Sequence, residues 1–253
     1  MIIFSINVHE KIIFLLKQIQ NIEKYVKVKY KIIINPNSYM FNEIPKNNFI
    51  QNLNYIFINN PCDKKLYHGS LSKGIYLNME YAINNFEFDY FIILSSRNFF
   101  YREINDKNIK SFVKICKGPQ QKYVSGLVYG GGGITYNELK IDKNRNIEQW
   151  HWPKFKNTEL FKYIQNNNLL FSSSTHEGLC FDINLTKKIV NFLNTYVLIK
   201  NDLFDFDSCV EEFALQSICI NLGNNYYHIG NSSQTDNINN LSQDKFVCKV
   251  FRN

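Results

Sequence analysis

The chain opens with a run of apolar residues from Ile2 to Val8, broken only by Ser5 and Asn7, which predicts a buried strand. From Glu10 to Ile22 the period changes: Ile12, Ile13, Leu15, Leu16 and Ile19 recur at helical spacing. The β-branched stretch Val26 to Ile34 predicts a second strand, closed by the turn-forming triplet Asn35, Pro36 and Asn37. Tyr55 to Ile58 predicts a third strand, Ser70 to Ile83 a second long helix, and Tyr90 to Leu94 a fourth strand. Strands alternating with helices predict a mostly parallel sheet covered on both faces, whose ligands gather beyond the carboxyl ends of the strands. That places Val8-His9-Glu10, Asn35-Pro36-Asn37 and Ser95-Ser96-Arg97-Asn98 around one cleft.

The second half is less regular. Lys122 to Leu127 predicts a strand, Tyr136 to Trp152 a hairpin-like stretch, and Leu179 to Ile183 a short strand leading into a helix over Thr186 to Leu193. The four glycines 130–133 lack the Gly-x-x-x-x-Gly-Lys-Ser/Thr pattern of a P-loop. Within Phe206 to Ile220 two adjacent acids, Glu211 and Glu212, open a segment that otherwise reads as a buried helix. At about 100° per residue, Leu215 and Cys219 come round beside Glu212, and apolar walls of that kind raise a carboxyl pKa toward the range of a general base. The same acids would equally suit the first turn of any helix, where they favour the macrodipole.

Composition narrows the ligand rather than the fold. At 253 residues the chain is long enough for a real core, with no repeat or compositional break to mark a linker. The net charge of +7 is dispersed, which suits a small anion such as a diphosphate and argues against nucleic acid, where a concentrated basic stripe is needed. Six cysteines, at 62, 116, 180, 209, 219 and 248, show neither Cys-x-x-Cys pairs nor zinc-finger spacing. With no basic leader and no apolar run near the ~20 residues of a membrane span, the expectation is a cytoplasmic protein without a membrane span.

Several stretches, in order, carry a resemblance. Ser5 to Lys11 with Leu15 to Ile19 matches a strand ending in Val-His followed by a helix with Leu-Leu-Arg; Asn35 stands where an Asp closes the second strand. Ser70 to Lys73 is similar to a Trp-Ser-Arg/Lys helix opening, and Phe91 to Phe99 to a Leu-Ser-Gly-x-Asp-Tyr strand and turn. Gly178 to Thr186 is similar to Gly-Ser-x-Trp-Phe-x-Leu-Ser-Arg. Glu211 to Ile218 is similar to Asp-Glu-Tyr/Phe-Leu-Trp-Ala-Thr-Ile, and Phe246 to Val250 to Phe-Ala-Arg/Asn-Lys-Phe. Together these resemble the core-2/I-branching N-acetylglucosaminyltransferases and the peptide O-xylosyltransferases.

The resemblance implies one GT-A-like catalytic domain over 1–253, with a nucleotide-binding half at 1–105 and an acceptor-binding, catalytic half at 106–253. It implies an inverting, metal-independent transfer of N-acetylglucosamine or xylose from a UDP-sugar to a hydroxyl of a glycan or protein, with no cofactor. Glu212 then takes the place of the catalytic base. Val8, His9, Asn35, Ser70, Lys73, Asn98 and Lys249 become the nucleotide contacts, Lys249 offsetting charge on the departing diphosphate. Glu177, Gly178 and Trp152 become acceptor contacts, and Glu177 remains a rival base. Asn35 and Asn98 replace family aspartates, and the family's second phosphate-binding Arg has no clear counterpart. The Asp205-Phe206-Asp207 triplet lies far from the strand end where an ion-binding Asp-x-Asp belongs, and is expected to be a loop or cap. Two other readings stay open: a metal-dependent transferase using another nucleotide sugar, and a non-catalytic nucleotide- or carbohydrate-binding protein.

Overall fold

A computed structural model of the chain describes residues 1–8, 11–44, 50, 53, 55–95, 97–115, 121–124, 127–129, 133–141, 152–223, 226–229, 231–232 and 246–249. At 114–115, 121–124, 127–129, 141, 152, 227–228, 231–232 and 249 the description covers the backbone only. In chain order the first half holds β1 (Ile2–Val8), α1 (Ile12–Tyr25), β2 (Tyr30–Pro36), α2 (Ser38–Phe41), β3 (Ile56–Ile58), α3 (Ser70–Asn85), β4 (Tyr90–Leu94), β5 (Asn98–Phe100) and α4 (Ile109–Phe112). It continues with β6 (Lys114–Ile115), β7 (Gln121–Val124), β8 (Leu127–Tyr129), α5 (Tyr136–Ile141), α6 (Trp152–Phe155) and α7 (Glu159–Asn166). Then come β9 (Leu179–Asp182), α8 (Ile183–Thr195), α9 (Val197–Asp205), α10 (Ala214–Asn221), β10 (Tyr227–His228), β11 (Asn231–Ser232) and β12 (Val247–Lys249).

The central sheet runs β3-β2-β1-β4-β9-β10-β6. Its first four strands are mutually parallel, β9 is antiparallel to β4, and β10 is antiparallel to both β9 and β6. The fold is therefore α/β with a mostly parallel central sheet. Alternation along β1 divides the core: Ile2, Phe4, Ile6 and Val8 face a layer containing Leu15, Ile19 and Ile22 of α1, while Ile3 faces Ile75, Met79 and Ala82 of α3. A parallel strand must be apolar on both faces because crossover helices cover both, which explains the near-unbroken run at the N-terminus. The polar exceptions have partners across the layer: Asn78 Nδ2 donates to Ser5 Oγ at 3.0 Å and Asn7 Nδ2 donates to the Leu71 carbonyl at 3.0 Å.

Three expectations are corrected. The predicted second strand starts late, at Tyr30, because Val26 is taken by an isolated bridge to Ile104, and it runs on through Pro36. Pro36 lacks an N–H, but the register with β3 ends at Ile34, and the Pro36 carbonyl still accepts from the Cys62 N–H. Tyr136 opens a helix, α5, rather than a hairpin: Thr135 Oγ1 accepts from the Glu138 N–H, and Glu138 Oε2 accepts in return from the Thr135 N–H and hydroxyl. That is a capping box, a start signal that outweighs the aromatic, β-favouring residues around it. The remainder of that predicted stretch, 142–151, lies outside the described residues. Finally, Glu211 and Glu212 do not form the first turn of the helix; it runs over Ala214–Asn221, and the two acids sit in the turn before it.

Candidate active site

The turn that carries Glu211 and Glu212 is fixed by polar groups on an otherwise apolar helix. In α10, Gln216 Nε2 donates to the Ser174 carbonyl at 2.9 Å, and Ser217 Oγ donates to the Ser172 carbonyl at 2.9 Å while accepting from the Ser172 N–H at 3.0 Å. The Ser174 N–H donates to the Glu212 carbonyl at 3.0 Å. The serine segment 172–174 is thereby held against the start of α10, and the residues that follow it, His176 and Glu177, are brought beside the two acids.

The same segment is anchored to the sheet. Gly178 donates its N–H to the Ile93 carbonyl at 2.8 Å and accepts at its own carbonyl from Ile229 at 3.0 Å. Its φ of 95° lies in the left-handed region, where a side chain would be strained, so glycine makes this entry into β9 feasible. Because β9 is antiparallel to β4, its first residues lie at the carboxyl end of β4, and Glu177 stands at that edge.

Four titratable side chains converge here. Glu211 is 1% exposed, Glu177 6% and Glu212 9%. His176 Nδ1 lies 3.9 Å from Glu211 Oε1 and 3.9 Å from Glu212 Oε1. Donor atoms of His176, Glu177 and Glu212 all fall within 4.8 Å of one another, close enough for one small cation to reach all three. Burial, with the Glu212 charge second, pushes the Glu211 carboxyl up to about 8, so it is largely protonated at neutral pH. The groups that oppose this shift, its own N–H and the Cys209 thiol, are close, but neither Glu211 oxygen has a partner of hydrogen-bond geometry. Cys209 in turn has its thiol pushed up by burial and by the neighbouring glutamates, so it stays a neutral thiol.

The expected nucleotide contacts occupy the same edge in varied roles. Val8 is buried in the core at the end of β1, and His9 lies outside the described residues. Asn35 is fully buried at the end of β2; its Nδ2 donates to the Asn60 carbonyl at 2.8 Å and its Oδ1 accepts from Lys64 Nζ at 2.6 Å. Ser70, also buried, accepts at Oγ from the Lys65 N–H, while Lys73 is exposed on the first turn of α3. Asn98 is buried within its own turn, its Oδ1 accepting from the Ser95 N–H at 2.7 Å and the Ser95 hydroxyl at 2.9 Å.

Lys249 closes β12, which pairs antiparallel with β5 so that Lys249 stands opposite Asn98. Two remote parts of the chain, the turn at 211–212 and the strand ending at 249, thus arrive at the carboxyl end of β4. The Lys249 side chain lies outside the described atoms, as does that of Trp152, whose backbone begins α6.

Two contributors escaped sequence reading. Lys64 is a buried lysine whose ammonium is lowered to about 8 by burial, held by Asn35 Oδ1 and the Cys62 carbonyl. Nothing local in an Asp63-Lys64-Lys65 run signals burial. His176 takes its place beside Glu211 and Glu212 through the Gln216 and Ser217 anchors, and those polar residues on an apolar helix are the available clue. A separate cavity of about 390 Å³, lined by Tyr163, Phe192, Tyr196 and Asn191 among others, contains none of the residues expected at the site. No protein-family model matches the chain, and no curated protein matches it. Among the described residues no helix is long and apolar enough to cross a membrane.

Proposed function

We propose that the protein is an inverting glycosyltransferase that moves a sugar from a nucleoside diphosphate, UDP by resemblance, to a hydroxyl of a glycan or protein. The observation that carries this reading is the arrival of positions 212 and 249 at the carboxyl end of β4, the edge where open α/β sheets bind ligands. Displacement at an anomeric carbon needs a base for the attacking hydroxyl and a positive group for the leaving diphosphate. Glu212 is the proposed base: it is nearly buried, beside His176, and keeps some access to solvent. As the acceptor oxygen bonds to the anomeric carbon, its proton passes to the Glu212 carboxylate and the bond to the diphosphate oxygen breaks. Lys249 is the proposed counter-charge for the departing diphosphate. N-acetylglucosamine and xylose are the sugars the family resemblance favours.

The decisive comparison is wild type against Glu212→Gln over a panel of nucleotide sugars. Glutamine keeps the shape and removes the base, so turnover should fall by 10²-fold or more while donor affinity changes little. Equal rates in the two proteins would eliminate Glu212 as base. Donor binding with no transfer or hydrolysis in wild type would favour a binding protein instead.

A further inference from the structure

The geometry points to a second use of the same cluster: we propose that His176, Glu177 and Glu212 bind a divalent transition-metal ion, Mn²⁺ or Zn²⁺. Mutual spacing is the first support. An ion about 2.1 Å from each ligand allows two ligand atoms to stand up to about 4.2 Å apart. His176 Nδ1 and Glu212 Oε1, at 3.9 Å, already satisfy this. The full set lies within 4.8 Å, so the widest pair must close by about 0.6 Å or more, within reach of a side-chain rotation, for one ion to bind all three.

Glu211 is the second and independent support. Its carboxyl is 1% exposed, neither oxygen has a hydrogen-bond partner, and Oε1 faces the same imidazole nitrogen at 3.9 Å. A buried carboxyl whose oxygens have no partner of hydrogen-bond geometry costs free energy, and a cation centred among its neighbours is the kind of group that would offset it. Donor type selects the ion: imidazole nitrogen suits Zn²⁺ and its neighbours, while carboxylates also accept Mn²⁺, and one nitrogen with two carboxylates lies between the two preferences. Purely oxygen-seeking Ca²⁺ and Mg²⁺ gain little from the histidine.

This inference does not depend on the transferase reading, but it interacts with it. A Glu212 oxygen bound to an ion is no longer free to receive a proton. Ion binding lowers the basicity of the Glu212 carboxylate, so a bound ion slows the proposed transfer.

The test is direct binding to the full chain after chelator treatment and dialysis. Mn²⁺ titration followed by electron paramagnetic resonance, and Zn²⁺ titration followed by calorimetry, should each give one saturable site per chain. Affinity should drop at least tenfold in both His176→Ala and Glu177→Gln. Glu177→Gln is close to isosteric, and circular dichroism of each variant verifies that the fold is retained. No saturable binding of either ion, or binding unchanged in both variants, overturns the site. Transfer assays then separate the two proposals: binding without any transferase activity in metal-free protein removes the transferase reading and leaves the ion site. Transfer that is indifferent to saturating ion rules out the shared use of Glu212.

Discussion

Replacing Glu211 by glutamine should flatten the stability of this protein against pH. The Glu211 carboxyl is pushed up to about 8 by burial and by the charge of Glu212, against an ordinary value of 4.5. Below about pH 4.5 both the folded and unfolded chains carry the proton, and the group imposes no penalty. Between 4.5 and 8 only the folded chain holds it, so stability declines as pH rises, and above 8 the loss is complete. Each pH unit in that window is worth about 1.4 kcal/mol, so the step from pH 5 to pH 7 costs roughly 3 kcal/mol at most. For a chain of this size that corresponds to a fall of about 5 to 10 °C in Tm.

Urea unfolding at pH 5, 6, 7 and 8, run on wild type and Glu211→Gln, measures the difference in slope. A glutamine amide in that pocket gains no partner, so the absolute stability of the variant is a poor guide; the slope is independent of it. Equal slopes in the two proteins would show that Glu211 is ionised in the folded state or that the turn opens to water. Either result would refute the burial argument.

Gly69 allows no side chain: a Cβ there would lie 1.9 Å from the Leu203 carbonyl oxygen, a backbone atom, so Gly69→Ala should destabilise by several kcal/mol, read from the shift in urea midpoint. Asn98→Ala should cost about 1 to 3 kcal/mol, because the Ser95 N–H and hydroxyl lose their acceptor, whereas Asn98→Asp, which keeps the acceptor oxygen, should recover most of that in the same assay. Lys249→Ala should weaken UDP binding by tenfold or more in calorimetry without changing thermal stability in the absence of nucleotide; unaltered UDP affinity would take Lys249 out of the proposed site.

The parallel half of the fold was legible because its signals are local and repeated. β1 and β4 lie where their apolar runs placed them, and α3 starts at Ser70 as its spacing indicated. The misreadings came from competing local signals. The Thr135 and Glu138 capping box starts α5 inside an aromatic stretch. The acids 211 and 212 were read as a first helical turn, when the chain instead bends there to meet the serine segment. α7 and α9 were missed, although Thr158 caps α7 by accepting from the Phe161 N–H.

Alternating apolar positions, read along the chain, sufficed for a layered α/β architecture with a mostly parallel sheet, since that property follows from periods of two and 3.6 residues. Which acids meet which histidine did not follow from any such period. His176 lies 35 residues before Glu211, and their approach to 3.9 Å is decided by Gln216 and Ser217 bonding to a distant loop. The proton on Glu211 is likewise a tertiary property, set by the water that folding excludes.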